Sequence, residues 1–226
     1  MMISPEGYYE EYLKGKTKEQ ILTIIRGLKQ EIGRLKNTME SPDYGIKPIM
    51  HPSEDTRLHW SREYLERAKQ AYAEASGTYT LSKSEEKVAD FDANMDAICK
   101  ITFSIGGFFD GYRSYVVELS DRLKAYTKLW EDEEPLSLLD GDNEEPFTKD
   151  TFIAALRDLH IGEWLRRYST KRFGYTVCDG TQWELKFEYN NGHKPVMFDG
   201  DNSYPYNFDK FQILFGIDET EEGEDE

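Results

Sequence analysis

The amino-acid sequence predicts an α+β protein: an N-terminal helical hairpin followed by a twisted antiparallel sheet of about six strands with helices on one face. Three observations predict it. Apolar residues recur at helical spacing between 17 and 76. From Ile101 onward they alternate instead, in short runs parted by turn residues. Two short helical patterns, at 149–161 and 208–215, interrupt the strand territory, and amphipathic segments of that length need a sheet face to cover.

The first helix is expected over 17–39. Thr17 and Gln20 have the spacing of a capping box, and Ile21, Ile24, Ile25, Leu28, Ile32 and Leu35 make one face. Pro42 and Gly45 break the pattern, and 41–52 is a proline-rich connection. A second helix starts after Ser53, a good N-cap, with Glu54 and Asp55 favourably placed toward its dipole. Leu58, Leu65, Ala68, Tyr72 and Ala75 form its stripe, and Gly77 is the expected stop. Two such helices on a modest linker are most economically an antiparallel pair. A shorter helix is expected from Ser82 to about Met95.

Strands are expected around Ile101–Ile105, over Tyr112–Leu119 and over Leu123–Trp130, with a glycine-rich turn at 106–111. Residues 131–146 read as a loop. Thr148 caps the helix that uses Phe152, Leu156 and Leu159 and ends near Gly162 or runs on to Tyr168. Phe173, Tyr175 and Val177 then alternate as a strand, Asp179-Gly180 reads as a turn, and Trp183, Leu185, Phe187 and Tyr189 alternate again. A turn at Asn190–Gly192, a strand through Val196 and Phe198, and a helix capped by Asn207 complete the chain. The domain reading is a helical hairpin over 1–80, a sheet domain over 81–217, and a disordered acidic tail at 218–226.

Charge narrows the functions. The 226 residues include 44 acids and 28 bases, a formal charge of −16. Residues 1–80 hold 12 of each, 131–146 hold eight acids and no base, and 218–226 hold seven acids and no base. Direct binding of nucleic acid, or of an anionic membrane surface, needs clustered Lys and Arg, so neither is expected. No apolar run approaches a bilayer span, and MMISPEGYYEE has neither the basic nor the apolar region of a secretory signal. Cys99 and Cys178 are far apart and form no CxxC, which predicts a reduced, cytoplasmic setting.

No phosphate-binding glycine loop and no strong metal signature is present, so no cofactor is expected. His160 and Glu163 are only two potential ligands. Asp140, Asp142 and Glu144 follow the first spacings of a calcium loop, but Glu145 stands where that loop needs glycine. Nothing in the sequence orients Cys178 and His193 as a nucleophile and its base. The most enzyme-like set is Asp179, Glu184 and Lys186. Glu184 and Lys186 share a strand face, as in metal-dependent nucleases where acids hold Mg²⁺ and a lysine orients water. Asp179 is in the adjoining turn, however, and a Glu/Lys pair on a wet strand face needs no function.

The segments PEGYYEEYLKGKTKEQIL, ITFSIGGFFDGY, LHIGEW, DGTQWELKFEYNNGHKPV and NSYPYNF resemble uncharacterised proteins associated with mobile elements of Gram-positive gut bacteria. The resemblance carries no catalytic motif. It implies a setting in which small acidic proteins act against host defence, as anti-CRISPR and anti-restriction inhibitors do.

The expected function is therefore a non-enzymatic acidic binding protein. Its partner would be a nucleic-acid-binding nuclease whose basic groove it occupies. The expected contact residues are Glu131, Asp132, Glu133, Glu134, Asp140, Asp142, Glu144 and Glu145, with Tyr204 and Tyr206 as aromatic contacts. The alternatives are the Mg²⁺-dependent nuclease on Asp179, Glu184 and Lys186, and a structural module that oligomerises through 17–76.

Overall fold

The computed structural model describes residues 2–46, 51–107, 111–130, 132–140, 145–177 and 179–217. The chain is α+β, with helices preceding a mostly antiparallel seven-stranded sheet, and it divides into two compact units, Met1–Ser82 and Lys83–Glu226.

The first unit is built on α2 (Lys18–Met39) and α3 (Glu54–Glu74). Thr17 closes the capping box with Gln20, and Ser53 accepts from the Thr56 amide, so both helices begin where side chains satisfy the first free N–H groups. Ile21 and Ile25, from the start of α2, pack with Ala68, Ala71 and Tyr72, from the end of α3, which makes the pair antiparallel. Farther along, Arg57 reaches Glu31 at 2.7 Å, and Arg34 forks onto the same carboxylate. These arginines, chiefly the hydrogen-bonded Arg34, hold the Glu31 carboxyl below its ordinary pKa.

Two features of this unit differ from expectation. The N-terminal segment folds as a short helix, α1 (Pro5–Tyr8), that continues in a π turn over Tyr9–Leu13. It is pinned by tertiary contacts: Tyr8 stacks on Tyr64 at 4.2 Å, the Tyr64 hydroxyl donates to Ile3 O at 2.8 Å, and Leu13 enters the core. Gly77 is not the left-handed residue that ends α3. Ser76 takes that conformation (φ 60°), and Gly77 N donates back to Tyr72 O at 2.8 Å. Glycine is needed at 77 because a Cβ there would collide with the Tyr72 ring.

The second unit begins with α4 (Lys83–Ala93), then β1 (Ile98–Gly107), β2 (Gly111–Leu119) and β3 (Leu123–Leu129) as an antiparallel meander. The acidic segment, expected as a loop, contributes structure. Asp132–Pro135 is strand β4, paired with β3, and Leu139–Asp140 (β5) pairs with Glu145–Pro146 (β6) in a separate ladder. Helix α5 (Lys149–Asp158) follows, then β7 (Arg167–Ser169), β8 (Gln182–Tyr189), β9 (Val196–Asp201) and α6 (Phe208–Leu214). The sheet order is β4-β3-β2-β1-β8-β9-β7.

The strand expected at Phe173–Val177 does not form. Strand β8 has one edge filled by β1 and the other by β9, so a hairpin partner at 173–177 has nowhere to pair. The outer edge of β9 is taken by β7 instead, in the sheet's one parallel pairing among the described residues. A loop that must run back to start β8 supplies the length a parallel connection needs.

Alternation gives the sheet two faces. Ile101, Phe103, Val117, Trp183, Leu185, Phe187 and Phe198 point to one side and are buried. Helix α6 lies there, with Phe211 at 5.0 Å from Phe103, and α5 joins through Phe152 on Phe215 at 5.9 Å. Phe91 of α4 meets Phe187 edge-on at 5.1 Å. Asn207 does not cap α6 with its side chain, as the sequence suggested; that side chain is spent inside the core on Trp164 and Leu159.

Candidate functional site

The opposite face of the sheet is the polar one. Its rows follow from the strand registers. One row runs Glu133, Lys128, Ser114, Ser104, Glu184, Asp199 and Arg167, across β4, β3, β2, β1, β8, β9 and β7. The next runs Tyr112, Gly106, Gln182, Asp201 and Ser169. These positions are polar because they face water, and their types are what the second half of each alternating pattern supplies.

Where β8 and β9 meet β1 and β2, the face dips into a groove of about 480 Å³, lined by Ser104, Tyr112, Glu184, Asp199, Asp201 and Arg167 among others. That volume lies within the ~300–1,000 Å³ of ligand sites. One wall is Tyr112, whose hydroxyl donates to Gln182 Oε1 at 2.7 Å. Ser104 and Ser114 share a hydroxyl hydrogen bond of 2.8 Å beside it. Glu184 and Asp199 are direct cross-strand neighbours, an arrangement in which like charges repel. Arg167 offsets the Asp199 side at 3.5 Å, whereas Glu184 makes no ion pair or side-chain hydrogen bond among the described residues.

The three residues expected to form a nuclease centre are not brought together in the groove. Glu184 lines it. Asp179 sits in the turn before β8 and is not part of the lining. Lys186 turns toward Glu188, with Nζ 3.0 Å from its carboxylate. The carboxylates that do face the groove with Glu184 are Asp199 and Asp201, which the sequence reading missed. Their alternate spacing on one strand was visible, but only the β8–β9 register places them opposite Glu184 and Gln182. Among the described residues no group of three His, Cys, Asp or Glu side chains stands close enough to hold a metal ion.

The expected contact residues are distributed unevenly. Asp132, Glu133 and Glu134 lie on β4, exposed and held in register by β3, with Glu133 3.4 Å from Lys128. Glu145 is exposed on β6, and Asp140 lies on β5. Glu131, Asp142, Glu144 and the tail at 218–226 lie outside the described residues, as does Cys178. Tyr206 is a correction: it is buried and offers a partner almost no surface. The Tyr204 ring lies 5.0 Å from that of Phe208, tilted by 34°, and burial pushes its phenol pKa up.

At the head of β4 stands Trp130, which the sequence reading treated only as the end of a strand. Its side chain is among the most exposed large apolar groups described (81 % exposed), and its backbone is left-handed at φ 58°. A bulky residue in that region is strained, and an exposed indole recovers little burial energy in return. Its ring edge lies over Gly111, the residue before Tyr112.

The remaining pairs are accounted for structurally. His193 is held by Asp90 at 3.0 Å and by Lys194 O at 2.8 Å, tying the β8–β9 turn to α4. His160 occupies a left-handed turn after α5 and Glu163 a 3₁₀ turn, so they do not share a helix face. Cys99 is half-buried, with Sγ 3.4 Å from Glu188 O. No helix among the described residues is long and apolar enough to cross a membrane.

The chain matches no family model, no curated protein and no solved structure.

Proposed function

We propose that the chain is a non-enzymatic binding protein whose partner presents a basic surface, of the kind a nucleic-acid-handling nuclease offers. The observation that carries this reading is a strained, solvent-exposed Trp130 at the head of an acidic edge strand. Backbone strain of that kind persists where the surroundings enforce it, and it clusters at working surfaces. Tryptophan is a preferred anchor of protein interfaces, and a rim of carboxylates adds orientation and speed of encounter.

The rigidity of β4 strengthens the reading. Carboxylates on a hydrogen-bonded strand are already ordered, so binding does not have to immobilise them. Docking would use side chains rather than strand addition. Leu136 N bonds inward to Ala125 O, which turns the backbone groups of Glu133 and Pro135 outward, and Pro135 has no N–H to offer. Proline and charge together blunt that edge. A cytoplasmic location and a role against host nucleases belong to the same proposal.

The test is competition. The chain is added to RNA-guided and restriction nucleases loaded with labelled duplex. Displacement that falls about ten-fold in the Asp132→Asn, Glu133→Gln, Glu134→Gln triple variant and in Trp130→Ala, and that weakens with salt, supports the reading. Unchanged displacement in both variants removes it.

A further inference from the structure

We infer that the groove between β8, β9 and β1 is a receptor for a single arginine side chain of the protein partner. This rests on the binding reading above and names the chemistry of one contact within it.

The groove has the parts a guanidinium uses. Glu184 and Asp199 face each other across two strands as like charges, and among the described residues Arg167 pairs with Asp199 alone. A second guanidinium beside Glu184 would relieve that repulsion, because it is planar, delocalised and presents several N–H donors in a fork matched to carboxylate. The Tyr112 ring forms a wall on which a guanidinium can lie, and the 2.7 Å hydrogen bond to Gln182 holds that ring in place. The Ser104 hydroxyl adds an acceptor on the groove floor.

Size and exposure separate arginine from the other cations. Among the described residues no three such side chains stand close enough to hold a metal ion, whereas a guanidinium can be met by two carboxylates. The groove is also shallow, with Arg167 79 % and Tyr112 48 % exposed, so a free small molecule would remain largely in water. An arginine carried by a protein does not need full enclosure, since neighbouring contacts share the cost of association. The groove is continuous with the proposed interface through Tyr112, Gly111 and Trp130.

The experiment is a titration of the ¹⁵N-labelled full chain with the peptide acetyl-Gly-Arg-Gly-amide, followed by amide shifts, with the citrulline peptide as an uncharged isostere. Saturable shifts at Ser104, Gln182, Glu184 and Gly200 are expected, at least about five-fold weaker with citrulline and likewise weakened by Glu184→Gln. Tyr112→Phe keeps the ring and releases it from Gln182, and it should weaken binding less than Glu184→Gln. No saturable shifts, equal shifts with citrulline, or indifference to Glu184→Gln would overturn the inference. Because the triple variant of β4 and Trp130→Ala leave the groove intact, nuclease displacement lost in them but retained in Glu184→Gln would sink the arginine receptor alone. Peptide binding without any displacement would sink the nuclease reading instead.

Discussion

The Asn207 amide bridges Trp164 and Leu159 inside the core of the sheet unit. Its Oδ1 accepts from Trp164 Nε1 at 3.0 Å and its Nδ2 donates to Leu159 O at 2.8 Å. Asn207 and Trp164 are both buried, so neither bond has a water substitute. Asn207→Leu leaves a buried donor and a buried acceptor unpaired and is expected to cost about 2–4 kcal/mol. Urea unfolding followed by tryptophan fluorescence checks this, and a loss under about 1 kcal/mol would mean that the bridge contributes little.

Gly200 lies under the Trp183 indole. A methyl group there would overlap the indole nitrogen and come within 2.6 Å of Ser203 O, to which that nitrogen donates. Gly200→Ala is expected to destabilise the unit by about 3 kcal/mol and to red-shift the emission of Trp183. An unshifted spectrum and midpoint would show that β9 yields without cost.

Ser76 holds a left-handed conformation that glycine adopts freely, with its side chain exposed. Ser76→Gly is expected to stabilise the helical unit by about 0.5–1 kcal/mol, measured as a higher denaturation midpoint. A fall in stability would mean that the serine side chain matters more than the backbone.

Glu31 joins two arginines, and its folded pKa is depressed below the ordinary 4.5. Its contribution is therefore present above that value and lost as pH falls through the depressed one. The site is partly exposed, so Glu31→Gln is expected to cost no more than about 1 kcal/mol at neutral pH. The difference between wild type and variant should shrink in thermal melts as the pH falls below 4.5 and be lost in acid, once the carboxyl is protonated in the folded protein. A gap that persists there would assign it to packing.

Tyr64→Phe keeps the stack on Tyr8 but removes both hydrogen bonds to Ile3. Amide exchange over 5–13 is expected to quicken while α2 and α3 keep their protection. Equal exchange in the two proteins would show that stacking alone holds the segment.

The local rules written in single residues were legible without coordinates. Thr17 with Gln20, Ser53 and Thr148 mark helix starts because a cap needs only a side chain and the next three amides. The alternation of Trp183, Leu185 and Phe187 marks a strand with one buried face because its period is a property of the backbone. The clustering of acids into two segments is likewise a fact of order along the chain. Tertiary structure decided what depends on competition for partners. Phe173–Val177 alternates as well as any strand here, yet both edges of β8 are occupied, and Arg167–Ser169 takes the vacancy beside β9. Asn207 and Ser53 look equally fit to cap a helix, but a buried Trp164 N–H claims Asn207. The groove is legible only after pairing, because Asp199 meets Glu184 through a register fifteen residues apart, and no spacing rule sets which strands become neighbours.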